Sequence, residues 1–326
     1  MELLKEIRKP IEADLKRLGE MLSDSLTSDN ELLNVALRHI TQHAGKQMRP
    51  ILMFLAARGV DDVPTVLDDR VVHAALSMEL LHSASLVHDD IVDESDRRRG
   101  QPSVNSLLGN KVAVLVGDFL LSKAIQHAVL SGNPRVVEII ASVGSHLSDG
   151  ELLQLNNVQS EVIEESVYYD VIRKKTASLF SACAEIGALL VSDDPGYVFT
   201  MRRFGMLLGI CFQLRDDIFD FDATLDTGKP AGNDLREGKL TLPVIYTCSK
   251  NAEAAVLAMK VRAAEATPED IDTLLRLTKQ EGGVVYAEGA MKEMSQLACG
   301  LLDDVKEKQI AIALQNYLNF VSKRTH

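Results

Sequence analysis

The sequence predicts an all-α protein, organised as one domain over residues 1–326, and three observations predict it. Apolar residues recur at three- and four-residue spacing along most of the chain, whereas the sustained two-residue alternation of half-buried strands is hard to find. Apolar residues make up 46% of the 326 positions and charged residues 25%, the balance of a globular protein with a sizeable core. No linker rich in Pro, Gly or Ser, no low-complexity tract and no fixed-period repeat divides the chain.

Taken in order, the helical spacing covers residues 3–26, 31–43, 69–92, 104–130, 135–158, 161–190, 197–223 and 240–262. Turn residues cluster in the gaps: Gly59 to Pro64, Gly100 to Pro102, Ser131 to Pro134, Ser192 to Gly196 and the longer stretch from Asp226 to Gly238. A further helix starts at Pro268, capped by Thr267, and ends at Gly282–Gly283. The amino terminus mixes acids and bases and lacks the apolar stretch of a signal peptide. No apolar run approaches the roughly 20 residues of a membrane-spanning helix, so no integral membrane segment is expected.

A formal charge of -12 disfavours nucleic acid as a partner. Cys183, Cys211, Cys248 and Cys299 show no metal-binding or disulfide spacing, which fits a reducing cytoplasm. Within this acidic chain, Arg97, Arg98 and Arg99 form a basic run beside an acidic one, as a local anion site would require.

Two acidic motifs follow long apolar helices. In DDIVD, Asp89 and Asp93 stand four residues apart and share a helix face, flanked by Asp90; in DDIFD, Asp216 and Asp220 repeat the arrangement, flanked by Asp217. Like charges so placed repel unless a cation neutralises them. Oxygen-only ligands suit magnesium, which takes one or two carboxylates and fills its remaining positions with water and substrate phosphate. Two such clusters could grip one diphosphate. Cations for it are available in GKQMRP (Lys46, Arg49), in Arg98 and Arg99 after the first motif, in RKKTASLF (Lys175, with Thr176), and in GKPAGNDLREGKLTLP (Lys229, Lys239). His73, His82, His88 and Asp89 also suggest a metal phosphohydrolase, but that reading explains neither the second DDxxD nor the GKxxR segment.

In order along the chain, GKQMRP, LHSASLVHDDIVDESDRRRG, VGDFLLSKA, GELLQ, KKTASLF, FQLRDDIFDF and GKPAGNDLREGKLTLP resemble the signatures of the polyprenyl synthetase family, the all-trans isoprenyl diphosphate synthases, over nearly the whole length. The resemblance implies the isoprenoid synthase fold, a bundle of mostly antiparallel helices around a deep central cavity. It implies a transferase that joins isopentenyl diphosphate to an allylic diphosphate by ionisation, condensation and proton loss. Asp89, Asp90, Asp93, Asp216, Asp217 and Asp220 would organise Mg2+, three ions per site with Mn2+ able to substitute. Arg98, Lys175 and Lys229 would contact the allylic diphosphate, with Lys239 nearby. Lys46, Arg49, His82 and Arg99 would hold isopentenyl diphosphate, and Thr176 and Gln213 would face the reacting carbons. A homodimer is also implied.

The chain departs from the family pattern at Ala44 and Gln47, where a glycine and an arginine are frequent, and at Arg215, where an apolar residue is. Ser85 and Ala84 precede Asp89 by four and five residues, where short-chain members carry an aromatic plug. With Leu81 and Met78 further down the helix, and Phe119 or Phe180 as a floor, this opening implies a medium- or long-chain product of the kind used for quinone side chains. A terpene cyclase shares the first aspartate motif, but needs neither the second DDxxD nor Lys46 and Arg49. A non-catalytic regulatory subunit would have lost aspartates or basic residues, and none is missing.

Overall fold

The computed structural model describes residues 2–42, 45–61, 64, 66–158, 162–221 and 232–323. Among these the regular structure is helical, apart from a ribbon of two two-residue strands, Arg97–Arg98 and Gln101–Pro102. The chain forms two compact units. One comprises Met1–Ser145, Leu179–Gly205 and Leu302–Leu314; the other comprises His146–Ser178, Met206–Leu301 and Gln315–His326.

The first unit is built around the helix Met48–Ala57, in which every residue except Arg49 is buried. The sequence reading placed no helix there. A helix apolar on all sides has no polar face to set a period, so ILMFLAA carries no helical signature. Neighbours approach it closely: a Cβ on Gly187 would stand 2.2 Å from the Met53 carbonyl oxygen, and Tyr197 Oη donates to the carbonyl of Ala56 at 2.6 Å, satisfying a helix-end acceptor. Asp14, with no exposed surface, accepts from Arg58 Nε and Nη2 at 2.8 and 2.6 Å and from the Leu67 amide at 3.2 Å.

The long helix Asp69–Val92 spans the residues expected of it, with Asp68 accepting from the Arg70 amide at its start. It packs along Asn110–Leu130, where Ser77 Oγ donates to the Ala124 carbonyl at 2.6 Å. The expected helix over 104–130 is interrupted at Gly109, whose φ of 85° a glycine adopts without strain. By length and composition alone, Asn110–Leu130 would be long and apolar enough to cross a membrane, a test that core helices also pass. It carries Lys111, Asp118 and Lys123 and buries Ala113, Val116, Leu120 and Ala124 within its unit. Val114, Leu115, Leu121, Ile125 and Val129 lie exposed on its other side.

In the second unit a core of Phe221, Leu235, Val244, Leu257, Val261, Ile271, Leu274 and Leu277 gathers the helices Leu242–Lys250, Ala252–Arg262 and Pro268–Gln280. The expected helix over 240–262 divides at Asn251, whose side chain caps the second part by accepting from the Ala254 amide. Thr267 and Asp270 form a capping box, and left-handed Gly282 follows the helix end, as the sequence indicates. The expected helix over 161–190 instead begins at Glu165 and passes through a π-helical segment, Arg173–Ala177. The helices Gly283–Gly300 and Lys308–Lys323 were not anticipated. Cys183 in the first unit and Cys211 in the second are both fully buried. Burial pushes the Cys211 thiol up to about 12 and the Cys183 thiol higher.

Candidate active site

In the first unit the helix Asp69–Val92 ends in the first aspartate motif. Asp93 is its C-terminal cap and is exposed, Asp89 is half-buried, and Asp90 is 3% exposed. Asp90 is not solvated because the ribbon closes over it: Arg98 Nε and Nη2 donate to its Oδ1 at 2.9 and 2.5 Å. Arg99 and Gly100 form the two-residue turn of that ribbon, both at positive φ (52° and 78°). The primed turn twists with the strands, and it holds a non-glycine residue in the left-handed region, the kind of strain that collects at functional positions.

The Arg99 guanidinium lies against Gly45, where an added Cβ would stand 2.6 Å from Nη2. A glycine in GKQMRP is thus what admits the arginine. Lys46 precedes the helix that carries Arg49, because left-handed Gln47 intervenes and the helix begins at Met48; the two cations do not share a helix face. Burial, with help from Arg49, Arg99 and Arg98, keeps the His82 imidazole neutral, well below its ordinary pKa. Its Nδ1 is buried with no hydrogen-bond partner, a donor or acceptor waiting for one. Glu79, which the sequence reading did not single out, is half-buried near Arg49 and Arg99, and its pKa is raised chiefly by desolvation. Glu79, His82, Arg98 and Arg99 line a cavity whose other walls include Leu22, Leu26, Ile40, Leu86 and Leu120. Met78, Leu81 and Ala84 are core positions of the same helix, Ser85 Oγ donates to the His82 carbonyl, and none of the four lines that cavity. Phe180 is fully buried beneath the Arg49 guanidinium, 5.2 Å from its ring centre. Phe119 lies 5.6 Å from Lys123 Nζ.

The helix Pro195–Phe219 carries the second motif in its part from Met206 onward, which belongs to the second unit. Asp217 is 2% exposed, and both its oxygens accept from neutral donors: Tyr168 Oη at 2.5 Å and Gln213 Nε2 at 2.9 Å. Burial and the nearby Asp234 carboxylate push Asp217 up to about 8, against the pull of those hydrogen bonds. Asp220, expected to share its metal role, turns both oxygens to backbone amides, Asn233 at 2.8 Å and Asp234 at 3.1 Å, and so anchors the short helix Asn233–Arg236. Arg215 lies over the Phe219 ring at 4.5 Å, which accommodates the departure noted there.

Lys175 and Thr176 sit in the π-helical segment, a form frequent at functional sites. Lys175 Nζ pairs with Glu151 and donates to Gln154 at 3.2 Å; both partners belong to GELLQ. Thr176 donates to Gln213 Oε1 at 2.8 Å. A second cavity is lined by Gln154, Tyr168, Gln213, Asp217, Asp234, Lys239 and Arg262. Lys239 also pairs with Glu237 at 2.8 Å. Lys229 and Ala44 lie outside the described residues. Tyr168 and Arg262 carry no signal in the sequence, since an isolated tyrosine or arginine has no spacing to mark it, whereas Asp234 stands inside the signature segment GKPAGNDLREGKLTLP. Glu151 and Gln154 had a signal, since GELLQ stands among the signature segments.

The donor set of the second motif fits a hard divalent cation. It is all oxygen, and an anionic carboxylate here is buried beside Asp234 and Asp216. Among the described residues no three His, Cys, Asp or Glu side chains already form a metal cage.

These features fit a helical enzyme with buried carboxylates and cations at its candidate site. Residues 30–278 match the polyprenyl synthetase model, and the chain belongs to that family, whose members are prenyltransferases using a divalent metal. An octaprenyl diphosphate synthase of Haemophilus influenzae is 33% identical over 95% of this chain and 93% of its own. A geranylgeranyl pyrophosphate synthase of Bacteroides thetaiotaomicron is 40% identical, with a TM-score of 0.86 over 99% and 100% of the two chains. A polyprenyl synthase of Caulobacter crescentus, solved with calcium and isoprenyl diphosphate, is 29% identical, with a TM-score of 0.90 over 99% and 98%.

Proposed function

We propose that this prenyltransferase condenses isopentenyl diphosphate with an allylic diphosphate, head to tail and in trans, to make a medium- or long-chain polyprenyl diphosphate for quinone side chains. The observation that carries the reading is the pair of aspartate motifs, each ending an apolar helix and each with its middle aspartate buried and held by named donors. The octaprenyl relative and the absence of an aromatic at Ala84 and Ser85 support the longer product. The geranylgeranyl neighbour, at higher identity, supports a twenty-carbon one.

In this reading both aspartate clusters would hold Mg2+, three ions per site, which would supply positive charge against that of the leaving diphosphate. Arg98, Lys175, Lys229 and Lys239 add cationic charge to that group. Lys46, Arg49, His82 and Arg99 hold isopentenyl diphosphate, with the unpartnered His82 Nδ1 available to a diphosphate oxygen or its water. The allylic C1–O bond breaks, the isopentenyl double bond attacks C1, and a proton leaves to a diphosphate oxygen. Holding both substrates close supplies much of the rate, and an apolar central cavity keeps water from the cation. The chain works as a single domain in the cytoplasm and as a homodimer, for which the exposed Leu115, Leu121, Ile125 and Val129 provide an apolar face.

Incubating the purified chain with farnesyl diphosphate, radiolabelled isopentenyl diphosphate and Mg2+, then sizing the products, tests the reading. Products beyond twenty carbons are expected, and a chelator should abolish them. A product stopping at fifteen or twenty carbons overturns the long-chain assignment alone, whereas unchanged turnover in Asp89→Ala and Asp216→Ala overturns the prenyltransfer site.

A further inference from the structure

We infer that Tyr168 is a positioning residue of the second aspartate motif: its hydroxyl fixes the Asp217 carboxylate for metal and, through Gln213, orients the Thr176 hydroxyl. The inference rests on the metal role proposed above for Asp217.

The hydrogen-bond chemistry of four side chains leads to it. With a divalent metal bound, Asp217 is ionised and can only accept, so in that state the two groups that touch it must donate to it. Tyr168 Oη does so to Oδ2 at 2.5 Å and Gln213 Nε2 to Oδ1 at 2.9 Å. With its NH2 committed to Asp217, the Gln213 amide has one possible orientation, carbonyl oxygen away from the carboxylate. That oxygen meets Thr176 Oγ1 at 2.8 Å. Because a carbonyl oxygen has no proton to give, Thr176 must supply the one between them. The polarity of the whole row is thereby set from its anionic end, and the Thr176 oxygen is left with its lone pairs available on its remaining side. An electron-rich oxygen is what a group facing a developing allylic cation should present.

Gln213 and Asp217 are one helical turn apart and would meet without help. Tyr168 stands 49 positions earlier, on the helix Glu165–Ile172 that leads directly into the π-helical segment bearing Lys175 and Thr176. Its bond to Asp217 therefore ties the two chain segments that carry the second motif and the cationic segment within this unit. The tyrosine is 5% exposed and wedged edge-on against Tyr169, with ring centres 5.4 Å apart, so its ring has little freedom to turn the hydroxyl elsewhere. Partners of this kind behind a metal ligand change metal affinity by about 10- to 100-fold when removed.

The test is Tyr168→Phe, which keeps the ring and deletes the donor. Mn2+ is titrated into the full-length protein by electron paramagnetic resonance in the presence of inorganic pyrophosphate, so that no turnover is needed. The apparent Mn2+ dissociation constant is expected to rise about tenfold, while the metal-free melting temperature and the KM for isopentenyl diphosphate stay near wild type. A Mn2+ isotherm within twofold of wild type overturns the inference, as does a KM for isopentenyl diphosphate that rises in parallel with it. Gln213→Met removes the other donor and must weaken Mn2+ in the same direction, which keeps the test available should the tyrosine variant fail to fold. Wild-type protein that binds no Mn2+ with pyrophosphate would overturn the metal role of Asp217 itself, an outcome distinct from a silent Tyr168→Phe.

Discussion

Asp14 and the His73–His127 pair show how single side chains set the stability of this protein away from the chemistry. Removing the Asp14 carboxylate strands the Arg58 guanidinium and the Leu67 amide where little water reaches them. Asp14→Ala should cost about 3 kcal/mol in urea unfolding, the usual penalty for breaking one side of a buried pair. His73 and His127 stack with their Nδ1 atoms 2.9 Å apart, so one ring donates to the other, while His127 Nε2 meets Ser25 Oγ. Burial, then the neighbouring His73 and Lys123, lowers His127 to about 4; burial also lowers His73, against a smaller opposing pull from Asp69. The unfolded chain, with histidines near 6.5, then binds more protons than the folded one between roughly pH 6.5 and 4. Stability is full above that window and falls as the pH drops through it. The melting temperature of the wild type should fall more steeply from pH 7 to 5 than that of His127→Gln, measured by scanning calorimetry. The aspartate motifs were legible at this scale because a four-residue spacing is local. The bond from Tyr168 was not, since nothing in a sequence announces a contact between positions 168 and 217.

Among the elements, the π-helical segment is held by a glycine as much as by its own hydrogen bonds. A Cβ on Gly150 would stand 2.8 Å from Lys174 Cβ and 2.9 Å from Lys175 Cγ, too close for either neighbour to stay in place. Gly150→Ala should therefore displace Lys175 from Glu151 and Gln154, lowering kcat about tenfold or more, as small misplacements of a charged group can, with a smaller change in melting temperature. Steady-state kinetics beside calorimetry would separate the two. The helices that were legible, such as Asp69–Val92, have one face to bury and another to show. Met48–Ala57 has only faces to bury, and the π segment differs from an α-helix by a single inserted residue, which leaves apolar spacing nearly unchanged. Breaks at Gly109 and Asn251 were passed over because one turn residue inside a periodic stretch is weaker punctuation than a cluster.

For the molecule as a whole, the proposed homodimer makes a direct prediction: Leu115→Lys with Ile125→Lys, placing charge in the exposed apolar face of Asn110–Leu130, should shift the species seen by light scattering from dimer to monomer. An unchanged dimer would require another surface. The two compact units each enclose one inert sulfur, Cys183 in the first and Cys211 in the second. A thiol held protonated in a sealed interior cannot react with an alkylating reagent until its surroundings come apart. Each unit thus carries its own clock. Following the mass label at the two positions over time would report separately how often either half breathes open, and a substrate that quietens one sulfur more than the other would reveal which half it steadies.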